Sequence, residues 1–286
     1  MSRLTDPGET TAVLKKHSLV LKKRFGQNFL IDAHVLDRIV AAAEIGKTDT
    51  VLEIGPGIGT LTQALAEAAG RVVAVEIDRT LIPVLAETLD GYPNAEVVNE
   101  DILKYDIAAL AAQADGGLKV VANLPYYITT PIIMRLLEEG IPAKSITVMI
   151  QKEVAERMAA GPGSKDYGAL SLAIRYYAEP ELVANVPPNC FIPRPNVSSV
   201  VIRLLLRREP PVKTRDPQRM FAIIRAAFGQ RRKTLINSLS GAAGLQISKE
   251  EAKQAVRTMG LDENIRGEAL TLTQFAELAD HLSERT

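Results

Sequence analysis

Apolar residues follow two regimes along this 286-residue chain. Up to about residue 150, short continuous apolar runs alternate with segments whose apolar positions recur every three or four residues. The runs at 51–54, 72–76, 96–99, 118–122 and 146–150 read as buried strands. Between them, 32–45 has helical spacing at Val35, Leu36, Ile39 and Val40, with Asp32 as its cap. Further helices are expected over 60–69 (ended by Gly70), over 80–89 with Pro83 in the first turn, and near 131–138. This alternation predicts a parallel sheet with helices on both faces. After 150 the rhythm changes. Helices are expected over 152–160 and 169–177, on either side of an exposed loop at 161–165. Two strands at 183–186 and 197–206 suit an antiparallel pair at the sheet edge. From 216 to 282 only helical patterns occur, broken at Gly229, 241–244 and Gly260. Pro210 and Pro211 read as a linker, so the expectation is an α/β domain over 1–210 and a small all-helical domain over 211–286.

Composition narrows the class. The hydrophobic fraction of 47% is ample for a folded core, and no apolar run is long enough to span a membrane. The first 17 residues are polar and carry no signal-peptide core. One cysteine, Cys190, excludes an internal disulfide, and a cytoplasmic protein is expected. Three histidines and that single cysteine argue against a structural zinc site, so no metal is expected. The formal net charge is zero, yet positive charge is segregated. Lys15, Lys16, Lys22, Lys23 and Arg24 form one acid-free stretch. A second, over 203–233, includes Arg225, Arg231, Arg232 and Lys233 and is opposed only by Glu209 and Asp216. Segregated charge of this kind can grip a polyanion even in a neutral protein, and solvated helix faces are the plainer alternative.

Candidate chemistry sits in the loops that leave the strands. The loop Glu53-Ile54-Gly55-Pro56-Gly57-Ile58-Gly59-Thr60 joins the first strand to the first helix after it. Its glycines permit close backbone approach to a ligand. The second strand ends in Glu76, where an acid can grip ribose hydroxyls, and the third ends in Glu100 and Asp101. Two adenosine-bearing cofactors fit. A dinucleotide normally calls for a third glycine where Thr60 stands. A sulfonium donor, S-adenosylmethionine, suits a site ringed by Glu53, Glu76 and Asp101 better than a pyrophosphate does. The loop Asn123-Leu124-Pro125-Tyr126 follows the 118–122 strand. Pro125 has no amide hydrogen and biases Leu124 towards extended backbone, which can turn the Leu124 carbonyl inwards. With the Asn123 amide oxygen beside it and an aromatic ring two residues on, this loop suits the exocyclic amine of a flat base.

Taken together, these motifs resemble those of the S-adenosylmethionine-dependent ribosomal RNA adenine N6,N6-dimethyltransferases, closest to the small-subunit type. The likeness runs from about His17 into the C-terminal helices. It rests on KRFGQNFL at 23–30, EIGPG at 53–57, NLPY at 123–126, FIPRP at 191–195 and FGQRRKTL at 228–235. The resemblance implies a Rossmann-like methyltransferase sheet over 1–210 and a helical RNA- or ribosome-recognition domain over 211–286. It implies donor contacts from Asn28, the Leu30 backbone, Gly55, Glu76 on the ribose, Asp101 on the adenine, and Asn123 between donor and acceptor. It places the target base between Tyr126 and Phe191, beside Asn123, Leu124 and Pro125. The implied reaction is dimethylation of two adjacent adenosines near the 3′ end of small-subunit ribosomal RNA, late in subunit biogenesis. The implied substrate is that RNA within a pre-ribosomal particle, met by an enzyme monomeric off the ribosome. RNA contacts are expected from Lys22, Lys23, Arg24, Arg225, Arg231, Arg232 and Lys233. A dinucleotide oxidoreductase and a non-enzymatic ribosome-assembly factor are the competing readings.

Overall fold

The structure is a computed structural model that describes residues 4–19 and 27–283. The chain forms two compact units, one from 1–155 with 180–206 and one from 156–179 with 207–286. The single boundary expected near residue 210 therefore becomes three crossings, and 156–179, expected in the α/β domain, groups with the C-terminal helices.

The first unit opens with α1 (Pro7–Lys16), which begins at Asp6, whose carboxylate accepts from the Gly8 and Glu9 amides. A two-residue strand β1 (Phe29–Leu30) precedes α2 (Ala33–Ala43), capped by Asp32 as expected. Then follow β2 (Thr50–Ile54), α3 (Thr60–Ala68), β3 (Arg71–Glu76), α4 (Ile82–Thr88), β4 (Ala95–Asn99), α5 (Ile107–Ala112), β5 (Leu118–Asn123), α6 (Thr129–Glu138) and β6 (Ala143–Gln151). After the helical excursion of α7 (Lys152–Ala159) and α8 (Ala169–Tyr177), β7 (Ala178–Val186), the short β8 (Phe191–Ile192) and β9 (Ser199–Leu206) complete the strands.

The seven-stranded sheet has the order β4-β3-β2-β5-β6-β9-β7. Strands β2 to β6 pair in parallel, and β9 returns antiparallel to β6. The parallel strands are buried on both faces, which is why they read as continuous apolar runs. The chain winds outwards through β2, β3 and β4, then returns to start β5 on the other side of β2. The crevice between β2 and β5 is thus the topological switch point, where open α/β sheets bind ligands. Val35 and Ile39 of α2 and Leu65 of α3 pack with Val51, Val72 and Val121 on one face. Val84 and Leu85 of α4 pack with Leu81, Ile58 and Phe29. At the amino ends of the strands, buried Asp49 binds Lys119 at 3.0 Å and Lys144 at 3.1 Å, far from the crevice and tying β2 to β5 and β6.

The second unit contains α8, α9 (Pro217–Gly229), α10 (Leu235–Ser240), α11 (Lys249–Thr258) and α12 (Leu272–Ser283). Its starts are chemically marked: Asp216 caps α9, Thr234 caps α10, and Ser248 with Glu251 forms a reciprocal capping box on α11. Tyr167, Leu172 and Tyr176 share its core with Met220, Ile223 and Phe275. Among the described residues, no helix is long and apolar enough to cross a membrane.

Candidate active site

A cavity of about 1090 Å³, counting its open mouth, lies over the carboxyl ends of β2 to β5. Four loops, one after each of these strands, and one incoming segment build it. The glycine loop supplies the floor. Gly55 and Gly57 have φ of +70° and +63°, a region that side chains rarely adopt. A Cβ on Gly55 would meet nothing within 4 Å, so the chain presents bare backbone to open space there. A Cβ on Gly57 would sit 3.1 Å from Phe29, so this glycine lets β1 close over the loop.

Acidic residues line one side of the cavity. Glu53 is 1% exposed and its Oε2 has no hydrogen-bond partner. Burial pushes its carboxyl up to about 8; the Thr62 hydroxyl opposes the rise and the Glu76 charge adds to it. Glu76, 5% exposed at the end of β3, accepts from the Asp78 amide at 2.7 Å and the Gly57 amide at 3.3 Å. Burial raises its carboxyl above the ordinary range, against the pull of those amides. Asp101 lines the same side, one oxygen accepting from the Leu103 amide at 3.0 Å. Ile77 and Ile102 provide apolar walls between these acids.

The other side is the Asn123-to-Tyr126 loop. Asn123 ends β5, and its Nδ2 donates to the Asn28 carbonyl at 3.1 Å. The donor end of the amide is thereby used, and Oδ1 is left as an acceptor. The Leu124 amide donates to Met149 of β6 at 3.1 Å, and no donor among the described residues reaches the Leu124 carbonyl. The Pro125 carbonyl accepts from the Thr129 hydroxyl at 3.0 Å and the Ile128 amide at 3.3 Å, which turns the loop into α6. Tyr126 is half-buried, and burial raises its phenol, opposed by a 2.7 Å hydrogen bond with the Ser199 hydroxyl. Tyr127 beside it is exposed.

Gln27, Asn28, Phe29 and Leu30 cross the cavity from the N-terminal side. Gln27 donates to Asp78 at 3.1 Å, and Leu30 pairs with Phe191 in the small β1–β8 ladder. The structure thus brings Asn28, Leu30, Gly55, Glu76, Asp101, Asn123, Leu124, Pro125 and Tyr126 around one cavity. Phe191 is placed differently. It is 3% exposed and packed with Leu30, Val35 and Leu36, so its ring belongs to the core behind β1 and not to the cavity wall. Two contacts had no sequence signal: the Gln27–Asp78 hook and the Tyr126–Ser199 bond each join residues far apart in the chain.

The RNA candidates divide too. Arg225 is exposed on α9, and Arg232 and Lys233 are exposed in the turn before α10, with no side-chain partner among the described residues. Arg231 is committed elsewhere: it bonds Glu268 at 3.0 Å and the Lys165 carbonyl at 2.8 Å. Unlike those three cations, Arg231 is thus paired within the helical unit, although its side chain is exposed. Lys22, Lys23 and Arg24 lie outside the described residues.

The cavity's chemistry fits a sulfonium nucleoside. It combines a glycine floor, two buried acids, apolar walls and an amide–carbonyl acceptor pair at the switch point, with no third fingerprint glycine for a pyrophosphate. Fold and site together define an S-adenosylmethionine-dependent methyltransferase. The sequence matches the ribosomal RNA adenine dimethylase family over residues 19–284, and the chain belongs to that family. It is 58% identical over 288 residues to the ribosomal RNA small subunit methyltransferase A of Lachnoclostridium phytofermentans, spanning 100% of this chain and 99% of that protein. With the protein of the same description from Alkaliphilus metalliredigens it shares 52% identity over 287 residues, spanning 100% of both. A crystal structure of a dimethyladenosine transferase from Plasmodium falciparum superimposes with a TM-score of 0.72 at 27% identity, over 87% of this chain and 95% of that one. The 23S rRNA methyltransferase ErmE gives 0.68 at 28% identity, over 90% of this chain and 100% of that one.

Proposed function

We propose that this enzyme transfers methyl groups from S-adenosylmethionine to N6 of two adjacent adenosines near the 3′ end of small-subunit ribosomal RNA. The observation that carries the reading is the acceptor pair at the end of β5. Asn123 Oδ1 and the Leu124 carbonyl have no other partner among the described residues, and both residues line the cavity that also holds Glu53 and Glu76.

Glu76 holds the donor's ribose hydroxyls, Asp101 its adenine amine, and Gly55 lies under its methionine portion. Asn28 and the Leu30 backbone cover it. The bound donor supplies an electrophilic methyl group on a sulfonium. The target's N6 is a weak nucleophile because its lone pair is delocalised into the ring. By accepting both N6 hydrogens, Asn123 and Leu124 favour a pyramidal nitrogen whose lone pair is aimed at the donor side. Holding the amine in line supplies much of the rate, and the alkylated amine is acidic enough to lose its proton to water. Tyr126 stacks on the ring. Phe191 acts through Leu30, pinning the covering segment, and does not touch the base.

The base must be unstacked to reach this depth, which a single-stranded loop allows at low cost. Arg225, Arg232 and Lys233 grip flanking phosphates, as do Lys22, Lys23 and Arg24. The helical unit serves RNA recognition, and the substrate is a pre-ribosomal particle met late in subunit assembly, in the cytoplasm, by a monomeric enzyme. Incubating unmodified small-subunit particles and naked RNA with labelled donor, followed by mass mapping, tests the assignment. Two adjacent dimethyladenosines support it, and label on any other nucleotide overturns it.

A further inference from the structure

The loop that presents the acceptor pair is moored to three strands. It leaves β5 at Asn123 and is bonded to β6 through the Leu124 amide and Met149 carbonyl. It reaches β9 through the Tyr126 hydroxyl, 2.7 Å from Ser199 Oγ. Ser199 is 0% exposed and opens β9 opposite Gln151, the last residue of β6. Its position is fixed on both sides, since the adjoining Ser198 carbonyl accepts from the Lys152 amide at 3.0 Å. A fully buried hydroxyl with one partner holds that partner firmly, because leaving it unpaired is costly.

We propose that Ser199 is a positioning residue for methyl transfer: its hydroxyl anchors Tyr126 and fixes the ring on which the target base stacks. The phenol is then held at both ends, by its backbone and by its oxygen. The ring cannot swing about its Cα–Cβ bond into the base site or away from it. The anchor acts on the acceptor base and not on the donor, since Ser199 lies on β9, on the far side of β6 from the donor-binding strands. This inference rests on Tyr126 being the stacking residue.

The test is a double-mutant cycle on the full-length enzyme with unmodified small-subunit particles. Ser199→Ala and Tyr126→Phe each remove the same hydrogen bond and keep the ring. Each is expected to lower kcat/KM for particles by roughly three- to tenfold, the worth of one such bond. Affinity for S-adenosylhomocysteine should stay unchanged. The double variant should be no worse than either single variant, and Ser199→Thr, which restores the hydroxyl, should recover transfer. Multiplicative losses in the cycle, or a Tyr126→Phe enzyme as fast as wild type, overturn the proposal. Tyr126→Ala separates this from the underlying reading. If that variant also transfers at the wild-type rate, the stacking role fails. If it is inactive while Tyr126→Phe is unaffected, only the anchor fails.

Discussion

Replacing Glu76 by alanine should separate donor binding from folding, because the proposed function gives the side chain different tasks in the free and the loaded protein. In the free protein its carboxylate accepts two backbone amides, from Gly57 and Asp78. Truncation opens those amides to cavity water, at a cost near 1 kcal/mol each. The loss is offset by removing a buried carboxylate whose charge bears on Glu53. Donor-free stability should therefore shift by less than about 2 kcal/mol. On the proposed function the same carboxylate would accept the donor's ribose hydroxyls, and a hydrogen bond to a charged group is worth about 1.5–3 kcal/mol. Affinity should fall roughly ten- to a hundredfold. Because burial raises this carboxyl, wild-type affinity should climb with pH as Glu76 ionises and then level, whereas the alanine variant lacks that rise. Calorimetric titration with S-adenosylhomocysteine between pH 5 and 8, with urea unfolding of the same samples, measures both quantities. Unchanged affinity in a folded variant would remove Glu76 from the ribose.

Asn123→Ala should nearly abolish single-turnover transfer while sparing donor affinity more than Glu76→Ala does; a native rate at saturating donor and RNA would refute the role of its amide. Glu53→Gln should change the pH profile of stability. The wild-type carboxyl titrates near 8 when folded against an ordinary value of 4.5, so its contribution is fully present below pH 4.5 and is lost as pH rises through 8. The variant should gain on wild type across that window, and a pH-independent difference in urea midpoints would contradict the burial argument. Arg232→Ala with Lys233→Ala should weaken particle binding and lower the salt slope by roughly 0.7 to 0.9 per lost phosphate contact, leaving donor affinity intact. Arg231→Ala alone should instead loosen the helical unit, seen as a lower melting temperature with an unchanged salt slope.

The parallel core was legible because burial on both faces leaves a simple mark, a short β-branched run. The glycine loop and the Asn123 loop, which line one cavity, were legible because they follow directly from such runs. Other elements left less trace. Helix α5 is six residues of mostly alanine with no periodicity to find. Strand β7 begins at Ala178, five residues before the expected start at 183, because Glu179, Pro180 and Glu181 lie on an edge strand with partly exposed faces. Strands β1 and β8 exist only because Leu30 meets Phe191, a pairing without local signal. The same pairing explains why Phe191 left the cavity: an aromatic in a proline-rich loop looks the same whether it stacks on a ligand or fills a core. Arg231 had the composition of an RNA contact, and only the folded chain shows Glu268 beside it.

The three chain crossings bear on how this protein can be cut and joined. Tyr167, Leu172 and Tyr176 belong to the core of the helical unit, yet they are encoded between β6 and β7. A gene ended after Leu206 would keep α8 and strip its partners, exposing an aromatic face to solvent. A fragment begun at Arg207 would lack the helix that completes its own core. Grafting this helical unit onto another methyltransferase therefore requires two exchanged segments, and a chimera made with one junction should aggregate.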